Sequence, residues 1–184
     1  VPKRGPKRRL IEMVSTNASQ GLEQLKLKWI SDSTRMETAM SEVQEQLNLP
    51  HLPERIECYD ISHIQGTNPV ASMSVFQNGM SLSSDYRRFK INSHYKNDDF
   101  ASMREVLTRR FKRLKKARDG GQQNGSFATS PDLVLIDGGK GQLSSAVEAM
   151  LQLGLQDIQL ASIAKREEEI FLPDAAEPVV MPKN

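Results

Sequence analysis

Two short β-prone runs each set one Asp among apolar and β-prone residues. The first is Glu57-Cys58-Tyr59-Asp60-Ile61-Ser62-His63-Ile64. The second, Leu133-Val134-Leu135-Ile136-Asp137, ends in Gly138-Gly139-Lys140-Gly141-Gln142. A lone Asp in an apolar strand costs stability unless it is paired or holds a cation. Two of them point to a shared site, and so to a fold that lays the two strands side by side. Side chains alternate along a strand. Cys58, Asp60 and Ser62 therefore share one face, while Tyr59, Ile61 and His63 take the other. That parity removes His63 from Asp60. Residues 133–136 are wholly apolar, as in a strand buried on both faces.

The remaining pattern supplies the elements around these strands. Residues 7–48 read as helix, with Leu22, Leu25 and Trp29 at i, i+3, i+7 and Met36, Met40, Val43 and Leu47 at i, i+4, i+7, i+11. Ser31-Asp32-Ser33 is a possible break or cap within it. This helix carries no evident chemistry and reads as an arm for packing on the core or on a partner. Leu49-Pro50-His51-Leu52-Pro53 ends it. Residues 1–53 are thus expected to form a basic arm and helical segment, and residues 54–184 the main domain. Strands are expected at 55–64, 70–76, 84–91, 132–137 and 158–164, the second followed by an Asn78-Gly79 hairpin turn. Helices are expected over 98–117 and from Gly141 to near Gly154. A further short hairpin could join 170–172 to 179–181. The order β-β-β-α-β-α-β specifies a mixed sheet flanked by helices. If the fourth strand returns beside the first, Asp60 and Asp137 become neighbours.

The net charge of +2 hides a segregation. Residues 1–9 hold five basic residues and no acid. Residues 87–118 hold twelve basic residues against Asp98, Asp99 and Glu105, so the rest of the chain is strongly acidic. Segregation on this scale favours a polyanionic partner, although a solvated helix face has the same composition. Cys58 is the only cysteine, which excludes an internal disulfide and favours a reducing interior. No eighteen-residue apolar window and no signal peptide occur, so a cytoplasmic protein is expected.

Two carboxylates at neighbouring strand ends suit Mg²⁺ or Mn²⁺, which would orient and polarise a phosphodiester. Asp137 could instead cap the following helix. A third ligand is not obvious, and Glu105 is a weak candidate. Lys140, together with Lys165 and Arg166 at the end of the fifth strand, could hold a phosphate. His51 and His94 lie in loop-like surroundings. Gly138-Gly139-Lys140-Gly141 is not a phosphate-binding P-loop, because Val134 and Gly141 occupy its required Gly and Ser/Thr positions. A nucleotide-hydrolysing function is therefore disfavoured. A scaffold without chemistry, its two Asp residues structural, is the main alternative to a nuclease.

Longer motifs sharpen the choice. Arg55-Ile56-Glu57-Cys58-Tyr59-Asp60-Ile61-Ser62-His63-Ile64-Gln65-Gly66, Tyr86-Arg87-Arg88-Phe89-Lys90-Ile91, Leu135-Ile136-Asp137-Gly138-Gly139-Lys140-Gly141-Gln142 and Ser162-Ile163-Ala164-Lys165-Arg166 closely resemble the C-terminal half of the UvrC family. These are the nuclease subunits of the bacterial UvrABC excision-repair system. The resemblance covers nearly the whole chain, with residues 119–130 looking like an insertion. It implies an α/β, RNase H-like fold: a mixed five-stranded sheet flanked by helices, behind an N-terminal helical arm. It implies an Asp-Asp-His catalytic set and a divalent metal. The first Asp matches Asp60 and the second matches Asp137, while the His is expected in a helix beyond residue 184. The family's helix-hairpin-helix module, its GIY-YIG nuclease and its UvrB-binding segment are likewise expected outside this chain. Such a domain cuts the damaged strand on the 5′ side of a lesion. The implied partners are damaged double-stranded DNA and, through regions outside this chain, UvrB. Arg87, Arg88, Lys140, Lys165 and Arg166 are the expected DNA contacts.

Overall fold

The computed structural model describes residues 4–62, 69–91, 98–120, 125–164 and 169–180. The chain separates into two units, residues 1–39 and residues 40–184. The first is helical from Pro6 onward and belongs to α1, Pro6–Gln46. Ser31-Asp32-Ser33 does not interrupt α1. Just beyond them, the hydroxyls of Thr34 and Thr38 donate to the carbonyls of Ile30 and Thr34 one turn back, at 3.0 Å each. Asn48 ends the helical run in the left-handed region, at φ 50°. The Leu49 amide then closes on the Gln44 carbonyl at 2.9 Å.

The second unit is built on one mixed sheet. Its strands are β1 (Arg55–Ser62), β2 (Val70–Gln77), β3 (Met80–Ser81), β4 (Arg87–Lys90), β5 (Leu133–Asp137), β6 (Gln159–Ala164), β7 (Glu169–Phe171) and β8 (Val179–Val180). Their order across the sheet is β3-β2-β1-β5-β6-β7-β8, with β4 also on β2. Five of the eight are the expected strands, and β7 with β8 is the expected hairpin. The expected strand over 84–91 is shorter, because Ser83–Asp85 coil into a 3₁₀ turn first. Asp85 is held there by Arg55 at 2.9 Å. The Asn78-Gly79 turn has positive φ at both residues, 51° and 75°, as a two-residue hairpin that follows strand twist requires.

The other two helices, α2 (Asp99–Gly120) and α3 (Lys140–Leu153), cover one face of the sheet. Asp98 caps α2, accepting the Ala101 amide at 2.9 Å. Met103, Leu107, Phe111 and Leu114 of α2 and Leu143, Ala146 and Met150 of α3 bury Tyr59, Met73, Val134 and Ile136 beneath them. The opposite face packs Ile56, Leu133 and Ala161 against Leu47 and Leu49, with Met40 and Val43 alongside. That second cluster is smaller and leaves part of its face less covered. Among the described residues, no helix is long and apolar enough to cross a membrane.

Candidate active site

β1 and β5 run parallel and adjacent, with Cys58 opposite Leu135 and Tyr59 opposite Ile136. One step further along this register, Asp60 comes abreast of Asp137. On the other side of β1, Asp60 pairs with Ser72 of β2, and Ser72 pairs with Arg88 of β4. Directly paired residues share a face. Asp60, Ser72 and Arg88 therefore form a row across three strands on the less covered side of the sheet. A cavity of about 240 Å³ opens there, lined by Cys58, Asp60, Ser72, Ser74, Asp137 and Ile163 among others. The Ser62 hydroxyl donates to Asp60 Oδ2 at 2.8 Å, which fixes one carboxylate oxygen.

Burial pushes the Cys58 thiol up to about 11, and the nearby Glu57 and Asp137 carboxylates push in the same direction. Folding therefore retains the thiol proton. Alkylation of native Cys58 at pH 8 is expected to be far slower than in urea-unfolded chain, and to speed up as pH rises towards 11. Equal rates in both states would place the thiol elsewhere. The sign for stability is also set. The raised native value makes this contribution complete below the ordinary thiol value of 9.0 and lost as pH climbs from there towards 11.

After Asp137 the chain turns sharply. The Gly138 amide continues the sheet ladder to the Ile163 carbonyl at 3.0 Å. Gly139 is the N-cap of α3, so Asp137 does not hold that position. The Gly139 amide instead donates to Gln142 Oε1 at 3.0 Å. A side chain at Gly138 would land on the Gln142 amide group. We expect Gly138→Ala to expel Gln142 and cost about 1 kcal/mol, read from the urea midpoint. Gln142→Ala should cost about the same. A wild-type midpoint in both would exclude this bond as the constraint.

The expected DNA contacts separate. Arg88 is exposed on the carboxylate face. Arg87, one residue away, pairs with Met73 and turns to the helix-covered face. There its guanidinium stacks 5.6 Å from the Phe127 ring and donates to the Ser84 and Tyr86 carbonyls. Lys140 lies exposed at the start of α3, with Nζ 3.4 Å from the Ala176 carbonyl. Lys165, Arg166, His63 and His94 lie outside the described residues. Glu105 sits on α2, behind the sheet, paired with Arg109 at 3.0 Å. His51 is 3.4 Å from Asp132.

The basic run also hides a structural residue. Arg110, counted with the charged surface in the sequence, is fully buried, as is Glu57. Arg110 grips Glu57 with two hydrogen bonds, 2.7 and 3.1 Å. Its remaining donors reach the Phe127 and Thr129 carbonyls, both at 2.8 Å. Glu57 also accepts from Tyr59 at 2.7 Å and from Arg55 at 3.3 Å. The Tyr59 phenol is raised well above its ordinary range, chiefly by burial and next by Glu57. The network thus ties β1 and α2 to the segment that leads into β5. The only sequence signal for it was Glu57 itself, an acid within a strand and opposite in parity to Asp60.

The chain carrying this arrangement matches a known family. Residues 44–184 match the model of the UvrC RNase H endonuclease domain. The chain belongs to that family and has its RNase H-like fold. It is 44% identical to the UvrABC system protein C of Streptomyces avermitilis over the whole chain and 48% identical to that of Solibacter usitatus over 98% of it. It spans 29% and 27% of their lengths. Among solved structures it shows a loose likeness to endonuclease V of Ciona intestinalis in complex with an inosine-containing DNA. That match has 14% identity and a TM-score of 0.39, covering 78% of this chain and 58% of that one.

Proposed function

We propose that this chain is the core of a metal-dependent DNA endonuclease that makes the 5′ incision beside a lesion in duplex DNA. It would act within a longer excision-repair protein whose other regions engage UvrB. The placement of Asp60 and Asp137 abreast, beside one open cavity, carries the proposal.

The donor set fits a hard divalent ion. Among the described residues no group of three or more His, Cys, Asp or Glu side chains comes together. Two carboxylates nonetheless suffice for Mg²⁺, which keeps water and takes substrate phosphate oxygens as its other ligands. Mn²⁺ accepts the same oxygens. Asp60 and Asp137 would hold the ion, which supplies polarisation of the scissile phosphodiester and a more acidic attacking water. Ser62 restrains Asp60 by its hydrogen bond. Cys58, Leu135 and Ile163 give the cavity an apolar lining, which strengthens charge interactions above it. Arg88 and Lys140 would contact phosphates, and the same role is assigned to Lys165 and Arg166, which follow β6 in the sequence. Arg87, turned to the other face, is assigned to Phe127 rather than to DNA.

The test is incision of a lesion-bearing duplex by the full-length protein with its repair partners. A chelator should abolish the 5′ cut, and Mg²⁺ or Mn²⁺ should each restore it. Undiminished 5′ incision in chelator would refute the metal role.

A further inference from the structure

The first unit carries an apolar stripe for which the nuclease proposal has no use. Ile11, Val14, Ala18, Leu22, Leu25 and Trp29 fall within a sector of about 80° at 3.6 residues per turn, and Met36 resumes it after Asp32, which lies in the same sector. Five of these are large and exposed. Trp29 is 80% exposed and Leu25 61%. An apolar stripe of this length, unbroken from Ile11 to Trp29, marks an interaction surface on an exposed helix. Its spacing repeats every eleven residues, Ile11-Val14-Ala18 then Leu22-Leu25-Trp29, a period that suits a gently right-handed supercoiled helix pair.

The stripe is complementary to itself when reversed. Turned about a point between Glu23 and Gln24, it sets Leu22 against Leu25 and the small Ala18 against the large Trp29. The same alignment sets Ile11 against Met36 and Arg8 across from Ala39, two residues or about 3 Å of rise from Glu37 on the same flank. A parallel in-register alignment would instead bring Lys26 of each copy beside Lys28 of the other, on opposite flanks of the seam, and like charges in contact are unfavourable. We propose that α1 is a self-association surface along which two copies of this chain pair antiparallel through the stripe from Ile11 to Met36. Partner choice here follows from shape at Ala18 and Trp29 and from charge at Arg8 and Glu37. This inference is independent of the nuclease proposal.

Trp29 is the only tryptophan in the chain, so its emission reports the seam directly. In sedimentation equilibrium of the 184-residue chain we expect a monomer–dimer equilibrium, with emission moving to the blue as dimer accumulates. Leu25→Glu should weaken the dimer roughly a hundredfold, by placing a charge in the seam. The melting transition of the sheet unit should be unchanged in that variant, which separates seam loss from misfolding. Arg8→Glu and Glu37→Arg should each weaken association, and the double variant should restore it, as only the antiparallel alignment allows. A monomer at every concentration with unshifted Trp29 emission would overturn the proposal. So would a dimer indifferent to Leu25→Glu, or a double variant that restores nothing.

Discussion

Replacing Asp60 or Asp137 by alanine in the full-length protein is expected to lower 5′ incision by roughly a thousandfold or more, while assembly on damaged DNA survives. The two should act as a unit. If both hold the same ion, removing either one disables the site, and the double variant should lose little more than each single one. Asp60→Asn and Asp137→Asn preserve shape and should fail as badly, since the missing element is charge. Their thermal unfolding should stay close to wild type, because the cavity leaves both side chains only half-buried. Normal incision by any of these variants would remove its residue from the site. A large loss of stability with incision intact would favour the scaffold instead.

The largest stability effect belongs to a different pair. Arg110→Ala leaves Glu57 charged, fully buried and short of its principal partner. Breaking one side of a buried ion pair costs about 3–5 kcal/mol. In a chain of this size that corresponds to a fall in melting temperature on the order of 10 °C. Glu57→Leu should cost a similar amount, since it strands Arg110. The double variant Glu57→Leu with Arg110→Met should cost less than the sum of the two. It should not return to wild type, because Arg55, Tyr59 and the Phe127 and Thr129 carbonyls lose partners as well. Additive losses in this cycle would show that the two residues are not coupled.

The sequence exposed the candidate site more fully than its support. Asp60 and Asp137 stand out because each breaks an apolar pattern, and period-two alternation placed Asp60 with Cys58 and Ser62. Alternation cannot say which strands are neighbours, so the β1–β5 contact rested on topology until the register was seen. Arg110 was invisible for a related reason. Phe111 and Leu114 define the buried stripe of α2, and a charged residue next to that stripe looks solvated. Only Glu57, arriving from another strand, makes its burial tolerable. Only the continuity of α1 was left open, at Ser31-Asp32-Ser33, whose local preference for capping is overridden by a helix that continues on both sides. The shortening of the third expected strand depended on a long-range contact as well, Arg55 drawing in Asp85.

The opposed directions of Arg87 and Arg88 have a consequence for how such domains can vary. β4 enters its register with β2 from a short 3₁₀ turn whose Asp85 is tethered to β1 through Arg55. Because side chains alternate, deleting or inserting one residue between Leu82 and Tyr86 would exchange the two arginines. Arg87 would then look out beside Asp60, and Arg88 would be forced against Phe127. A change of two residues would preserve the parity. Length variation in this turn should therefore be tolerated in steps of two and selected against in steps of one.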